Sequence, residues 1–336
     1  LDRKLGGILH IYEKFQGVDP RDEPMKIFPA VHYSMGGLWA GYVKNAEGGL
    51  DSGNPKNHET NVPGLYAIGE ADYQYHGGNR LGANSLLSCI FTGLFVAPGI
   101  KNMLGSLDKA ASDEQFDSLH AGSKADHEAR FQGMLKPAEP AGNGSSEPEN
   151  PYLIHQELGN EMTKAATVVR NNDQLRAAIE KVNDLAERAG RCSLSDSGAW
   201  TNQNVVFTRN LRDMFPVAKA ILHGALARDE CRGAHYKPDF AMPGITAEDP
   251  TEKRRQAEQW CDAFEEKNRK WLKSTIASFD EKGDPTLSYE EVDTSLIPPR
   301  PRLYGLVGAE MIDEVWKERQ RAKDAAAAGE PAMAGA

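Results

Sequence analysis

Apolar residues return at helical spacing in three stretches of the chain. Leu86, Leu87, Ile90, Phe91 and Leu94 share one helical face, so a helix starting near Asn84 is expected. Leu175, Ile179, Val182 and Ala186 form a second face, with Asp173 as the expected cap and Gly190 as the stop. A third helix carries Val217, Ile221, Leu222 and Leu226, and Pro216 is expected in its first turn, where a missing N–H costs little. A charged, helical run with Trp260, Phe264 and Trp271 follows. Strand patterns are fewer. Leu65-Tyr66-Ala67-Ile68, between the Pro63-Gly64 turn and Gly69, reads as a short buried strand. Residues 271–279 and 286–292 read as two strands joined by a turn at Glu281-Lys282-Gly283-Asp284, and Pro298-Pro299-Arg300-Pro301 as a stiff extended segment.

These patterns divide the chain. Residues 1–104 are rich in glycine and aromatic residues. Residues 105–150 are a connector, whose part from 136 onward holds Pro137, Pro140, Gly142, Gly144 and Pro148 and is too polar to bury. Residues 151–275 are helical. Residues 276–336 are a strand-and-extended extension ending in a frayed small-residue tail. The fold class expected is α+β. The most membrane-like run, 86–100, is interrupted by Pro98 and Gly99 and stops at Lys101. It is shorter than the roughly 20 apolar residues of a spanning helix, and reads as a buried core helix.

Composition narrows the chemistry. A net charge of −10 provides no basic face, which argues against a nucleic-acid partner. Cys89, Cys192, Cys231 and Cys261 lack CxxC or zinc-site spacing, so reduced thiols are expected, with no metal site and no iron–sulfur cluster on this chain. The start at Leu1, in charged and glycine-containing sequence, reads as a cut through a longer protein.

Two clusters carry candidate chemistry: Val31-His32-Tyr33-Ser34-Met35-Gly36-Gly37, and Gly69-Glu70-Ala71 followed by His76-Gly77-Gly78-Asn79-Arg80-Leu81-Gly82-Ala83-Asn84-Ser85-Leu86-Leu87. The glycines at 77, 78 and 82 let backbone approach a ligand closely and lead into a helix N-terminus at Asn84-Ser85, whose unpaired N–H groups favour negative charge. Arg80 offers a rigid fork for a carboxylate. His32 could donate to a substrate carboxylate, and Glu70 could accept from ribose or ribityl hydroxyls. By residue chemistry alone, a glycine-rich turn capping a core helix, with Arg80 in a surface pair and His32 and Glu70 as ordinary strand residues, is the more common outcome of such a pattern.

The blocks His32-Tyr33-Ser34-Met35-Gly36-Gly37, Asn61-Val62-Pro63-Gly64-Leu65-Tyr66-Ala67-Ile68-Gly69-Glu70-Ala71 and His76 through Leu87 resemble, in order and spacing, the C-terminal signature of succinate dehydrogenase/fumarate reductase flavoprotein subunits. Ala227 through His235 is similar to the family's Arg-x-Glu-Ser-Arg-Gly-Ala-His block, with Cys231 in place of the serine. Leu287-Ser288-Tyr289 and the Pro-Pro-Arg-Pro segment are similar to the branch linked to diheme cytochromes. The resemblance implies that residues 1–104 are the C-terminal part of a Rossmann-like FAD-binding domain, followed by a helical domain and a small C-terminal extension. It implies that His32 and Arg80 bind succinate or fumarate and serve catalysis, that Glu70, Asn84, Ser85 and Leu86 contact FAD, and that Arg232 and His235 tie the helical domain to the flavin domain.

The implied reaction is hydride transfer between substrate and FAD, with electrons passing to an iron–sulfur subunit and a membrane cytochrome subunit. The complex would lie on the cytoplasmic side of the inner membrane, attached through its partners. The family's phosphate-binding GxGxxG loop, its flavin-bearing histidine and the capping-domain arginine that moves the proton all lie upstream of such blocks, so the chain alone is expected to be inactive. Two alternatives remain: an L-aspartate oxidase-like flavoenzyme, or a non-catalytic helical docking module.

Overall fold

The computed structural model describes residues 2–27, 32–108, 112–135, 149–198 and 200–328. Pro29, Ala30 and Val31, the polar run 136–148 and the tail from 329 lie outside them. Eight α-helices and one two-stranded sheet are found among the described residues. Helix α1 (Asp2–Gln16) is followed by an irregular segment, then α2 (Asn84–Ser106) and α3 (Asp113–Leu135). Helices α4 (Pro151–Ala166), α5 (Asn172–Ala189), α6 (Gln203–Ala227) and α7 (Pro250–Trp271) precede the hairpin β1 (Lys273–Phe279) and β2 (Pro285–Glu291), and α8 (Ala309–Ala327) closes the chain.

The main hydrophobic core lies between α4, α5 and α6. Ile154, Leu158, Leu175, Val182, Leu185, Leu211, Phe215 and Leu222 are buried there together. Asn150 and Asn202 cap α4 and α6 through their side-chain oxygens. The cap of α5 is Asn171, whose side-chain Oδ1 accepts from Gln174 N–H, while Asp173 lies in the first turn. The buried stripe of α5 is Leu175, Ala178, Val182, Leu185 and Ala189, so Ile179 and Ala186 pack at its border. Pro216 is inside α6 rather than at its start, because the helix begins at Gln203, and Val217 and Ile221 on the far face are exposed. A second core joins α7 to α8 through Trp260, Cys261, Ile312 and Val315, with Phe264 and Trp316 packed against it. The extension is therefore not only strand and loop. Its helix is fastened by Arg254 to Glu318 and by Arg319 to Asp262 as well as by apolar contact.

The hairpin pairs antiparallel from Lys273 opposite Glu291 to Phe279 opposite Pro285. Its turn is fixed by Asp280, whose Oδ1 accepts from the N–H groups of Lys282 and Asp284, and by Gly283 at φ 78°. Residues 112–135, expected as connector, are mostly helical, and this helix is exposed along its length except near Met134.

The part that carries the candidate site departs most from its hydrophobic pattern. Helix α2 starts at Asn84 as expected. Its buried residues, however, are Ser88, Thr92, Val96 and Gly99, whereas Leu86, Leu87, Ile90, Phe91 and Leu94 are exposed. The small residues let backbone come close: a Cβ on Gly99 would sit 2.7 Å from Asn54 O, and one on Gly69 would sit 2.9 Å from Cys89 Sγ. Among the described residues no element covers the apolar stripe. By length and composition this helix is long and apolar enough to cross a membrane, and only 22% of its apolar window is buried, so the buried core helix expected from the sequence is not what is found. The segment 65–68 is likewise no strand. It makes one isolated bridge, Glu59 to Tyr66, with Ala67 buried and Leu65 and Ile68 exposed, since no neighbouring strand among the described residues pairs with it.

The turn after α6 is the hub of the molecule. Buried Glu230 accepts from Arg228 Nε at 2.6 Å and from Arg232 Nε at 3.0 Å. Arg228 also donates to the carbonyls of Trp271 and Lys273, which ties α6 to the hairpin. Lys237, buried, donates to the carbonyls of Ala225, Leu226 and Arg228 and to Asp229, closing the C-terminus of α6. His235 accepts from Arg170 on Nδ1 and donates from Nε2 to Arg228 O, each at 2.8 Å.

Burial, with help from the neighbouring Arg170, pushes the His235 imidazole down from 6.5 to about 4. The unfolded chain therefore takes up this proton first as pH falls. The stabilisation is complete above pH 6.5 and is lost progressively towards pH 4. Thermal melts at pH 7.5 and pH 5 are expected to differ by a few degrees on this account, and His235→Gln should shrink the difference.

Candidate functional site

The site grows around the start of α2. Ala83, the residue before the helix, is left-handed at φ 65° and supplies no side-chain cap. Asn84 N–H is taken by Leu81 O at 3.3 Å, and the following amides at Ser85 and Leu86 open outward without a side-chain acceptor. An uncapped helix start concentrates partial positive charge. Leu86 is exposed beside it.

Arg80 precedes this start. Its Nη2 donates to His32 Nδ1 at 3.0 Å and its Nη1 to Leu81 O at 3.0 Å, while its guanidinium carbon lies 5.4 Å from the Tyr33 ring centre. Arg80 Nε is buried with no partner. An unpaired buried guanidinium donor is costly and is satisfied when an anionic acceptor arrives. Since Nδ1 accepts from Arg80, the His32 proton is on Nε2, where it can donate outward. The two residues named from the sequence as substrate ligands are thus neighbours across 48 positions.

Glu70 stands on the short 3₁₀ turn Gly69–Ala71 and accepts from Ser34 N–H on Oε1 at 2.8 Å. It couples the first block to the second and presents an exposed carboxylate beside them. The turn rests on α2: Gly69 N–H donates to Thr92 Oγ1 at 3.0 Å, and Gly37 passes so close that a Cβ would lie 2.3 Å from Ala71 O. Tyr33 OH and His76 Nε2 both meet Ser88 Oγ, at 3.1 and 3.3 Å, and the Tyr33 and His76 rings are edge to face at 4.9 Å. His76 is therefore held beside the pair rather than within it.

The Arg-Gly-Ala-His block reaches the same loop. Ala234 N–H donates to Gly78 O at 2.9 Å, and Gly233, at φ 59°, stacks backbone on backbone against Gly78. Arg232 lies against Gly78 and donates to Glu230 and Asn268, while the His235 side chain meets only Arg170 and Arg228 O within the helical part, so it is Arg232, Gly233 and Ala234 that touch the loop.

Sequence reading gave no role to Tyr33, which lies within the first cluster, and did not single out Ser88, His58, Asp72 or Tyr75, although all are part of this corner. His58 Nδ1–H donates to Asp72 Oδ2 at 2.7 Å, and Tyr75 OH donates to His58 Nε2 at 2.8 Å. Burial and the Asp72 charge push the Tyr75 phenol up, which keeps it a donor. His58 is left-handed at φ 62°. Its only sequence signal was a histidine in a turn-rich stretch, which carries no partner information. Among the described residues no cluster of side chains could hold a metal ion.

Taken together, an uncapped helix start, a free carboxylate edge and an orphaned guanidinium donor fit an anionic, hydroxyl-bearing cofactor next to a carboxylate ligand. Residues 1–86 match the family profile "FAD binding domain", and residues 155–304 match "Fumarate reductase flavoprotein C-term". The chain is 41% identical over 305 residues to the succinate dehydrogenase flavoprotein subunit of Bacillus subtilis, covering 90% of this chain and 44% of that protein. It is 28% identical over 306 residues to the fumarate reductase flavoprotein subunit of Escherichia coli, covering 91% and 43%. Among solved structures, E. coli quinol fumarate reductase FrdA superposes with a TM-score of 0.67 at 27% identity over 91% of this chain and 45% of that one. The chain thus spans less than half the length of these curated relatives.

Proposed function

We propose, from the premise that this chain belongs to the succinate dehydrogenase/fumarate reductase flavoprotein family, that it supplies the carboxylate-binding half of a site interconverting succinate and fumarate. The single observation that carries this reading is the Arg80–His32 pair, with its buried, unpartnered Arg80 Nε, placed just before an uncapped helix start. Arg80 offers a planar fork to one substrate carboxylate, and His32 donates to it from Nε2. Tyr33 holds the guanidinium plane from one side.

FAD, when bound, supplies the hydride chemistry. Glu70 would accept from its hydroxyls, and Asn84, Ser85 and Leu86 at the helix start would hold its anionic part. The segment before α2 is read as the C-terminal piece of a Rossmann-like domain. The rest of the parent protein completes the flavin site, and the chain alone is inactive. The parent passes electrons to an iron–sulfur subunit and a membrane cytochrome subunit, and lies at the cytoplasmic face of the inner membrane through them.

Two measurements test this. The full-length protein, loaded with FAD and its iron–sulfur partner, is expected to reduce an artificial acceptor with succinate. Absence of turnover in both directions would falsify the substrate assignment. The chain by itself, incubated with FAD and desalted, is expected to show no stoichiometric flavin absorbance. Tight flavin there would mean that the site is complete without the missing portion.

A further inference from the structure

Four residues, Asp72-Tyr73-Gln74-Tyr75, lead directly into the loop that bears His76 and Arg80. All four side chains are anchored. Asp72, fully buried, spends Oδ2 on His58 Nδ1–H and Oδ1 on Gln74 N–H at 2.8 Å. Gln74 Nε2 donates to Ala40 O at 2.7 Å. Tyr75 OH donates to His58 Nε2, and its ring stacks on the His58 imidazole and meets Phe91 of α2 edge-on. On the opposite face Tyr73 OH donates to Glu290 Oε2 at 3.2 Å, and Glu290 Oε1 accepts from Trp39 Nε1 at 2.8 Å. Glu290 is on β2, so the hairpin grips the arm from outside while His58 grips it from inside. Lys44 and Asp293 pair beside this grip.

His58 has no ring nitrogen left for a ligand, and its side chain is 2% exposed, so it takes no part in chemistry. Neither does the network belong to the two hydrophobic cores, which contain none of these residues. What it does hold is local. Beyond Tyr75 the loop is fastened at His76 to Ser88 and at Gly78 to Ala234, and among the described residues Arg80 is steadied by His32, Leu81 O and the Tyr33 ring. The left-handed backbone of His58 is fixed by hydrogen bonds on both sides, from His58 N–H to Gly41 O and from Ala67 N–H to His58 O. Such backbone conformations persist where surroundings over-determine them, and they gather at ligand clamps.

We propose that the arm 72–75, clamped between the Asp72–His58–Tyr75 relay and Glu290 of the hairpin, is a positioning device that sets where Arg80 stands to receive a dicarboxylate. The inference rests on the reading of Arg80 as the carboxylate clamp. It makes His58, Tyr75 and Glu290 positioning residues, and it assigns the C-terminal hairpin a role at the site.

The test uses the full-length, FAD-loaded protein with Tyr75→Phe, which keeps the ring and deletes one hydroxyl. Amide hydrogen exchange over 72–82 and the affinity for malonate, a non-reacting dicarboxylate read by the flavin absorbance change, are measured together. Exchange over 72–82 should quicken roughly tenfold, the effect of one hydrogen bond of ordinary net worth, with α4–α6 unchanged. Malonate affinity should fall several-fold with flavin content unaltered. Unchanged exchange over 72–82, or acceleration shared equally by α4–α6, overturns the proposal. So does wild-type malonate affinity in Tyr75→Phe while Arg80→Ala loses it, an outcome that leaves the proposed function standing. If Arg80→Ala itself binds malonate normally, the clamp reading fails and the positioning claim falls with it. Glu290→Gln, which loosens the arm from the hairpin side, is read by the same two measurements where Tyr75→Phe does not accumulate.

Discussion

Arg80→Ala in the full-length protein is expected to lower turnover of succinate or fumarate by roughly a hundredfold or more, with FAD still bound. The guanidinium donates to His32, lies over Tyr33 and keeps one donor unpaired in a buried position. Its contacts are with His32, Leu81 O and the Tyr33 ring, and under the proposed function Glu70 and the α2 amides, not Arg80, would meet the cofactor. Removing it frees His32 Nδ1 and leaves no cation to meet a carboxylate. Arg80→Lys is expected to recover little, because an ammonium cannot reproduce the fork or stack on Tyr33. Steady-state rates and the flavin-to-protein absorbance ratio, measured on the same samples, check both halves. Loss of flavin in Arg80→Ala would move the residue from the substrate to the cofactor.

Gly233→Ala is expected to be among the most destabilising single changes in the chain. An added Cβ would lie 2.0 Å from the Gly78 carbonyl oxygen and 2.3 Å from its carbon, and both atoms are backbone. The residue is also at φ 59°. Left-handed backbone costs an L-residue about 1–2 kcal/mol. Overpacking adds about 1–3 kcal/mol. A loss of roughly 2–5 kcal/mol follows, together with displacement of the loop that carries Arg80. Gly224→Ala is the control. It sits inside α6 with open space around it, and should raise stability by about 0.5–1 kcal/mol. Denaturant melts of the two variants beside the parent separate the outcomes. Equal effects would show that the Gly78–Gly233 approach is not the constraint described.

Several short-range signals agree with the structure, although the α5 cap is Asn171 rather than Asp173. The turn at 281–284, both strands of the hairpin, the start of α2 at Asn84 and the stop of α5 at Gly190 follow from short-range signals. His32 and Arg80 are named together through block order, and the structure makes them neighbours; of Arg232 and His235, Arg232 lies against Gly78 and His235 stays within the helical part. Hydrophobic periodicity finds the buried side of α5 at Leu175 and Val182 but not that of α2. In α2 the apolar stripe is real, yet the face turned to the rest of the chain is Ser88, Thr92, Val96 and Gly99, because close backbone approach selects small residues over greasy ones. Pro216 was placed at a helix start because a proline reads as an edge, and only the packing of Leu211, Phe215 and Ala218 on the α4–α5 core carries the helix past it.

The sequence by itself determined the family, the helical middle of the chain and the chemical types gathered at the glycine-rich loop. Tertiary structure alone decided that Tyr75 meets His58, that Glu290 grips Tyr73 and Trp39 across more than 200 positions, and that Gly233 lies on Gly78. Those contacts join residues whose separation along the chain carries no periodic or motif signal. They depend on where the helices, the hairpin and the loops before α2 come to rest, and not on any local preference of the residues that meet.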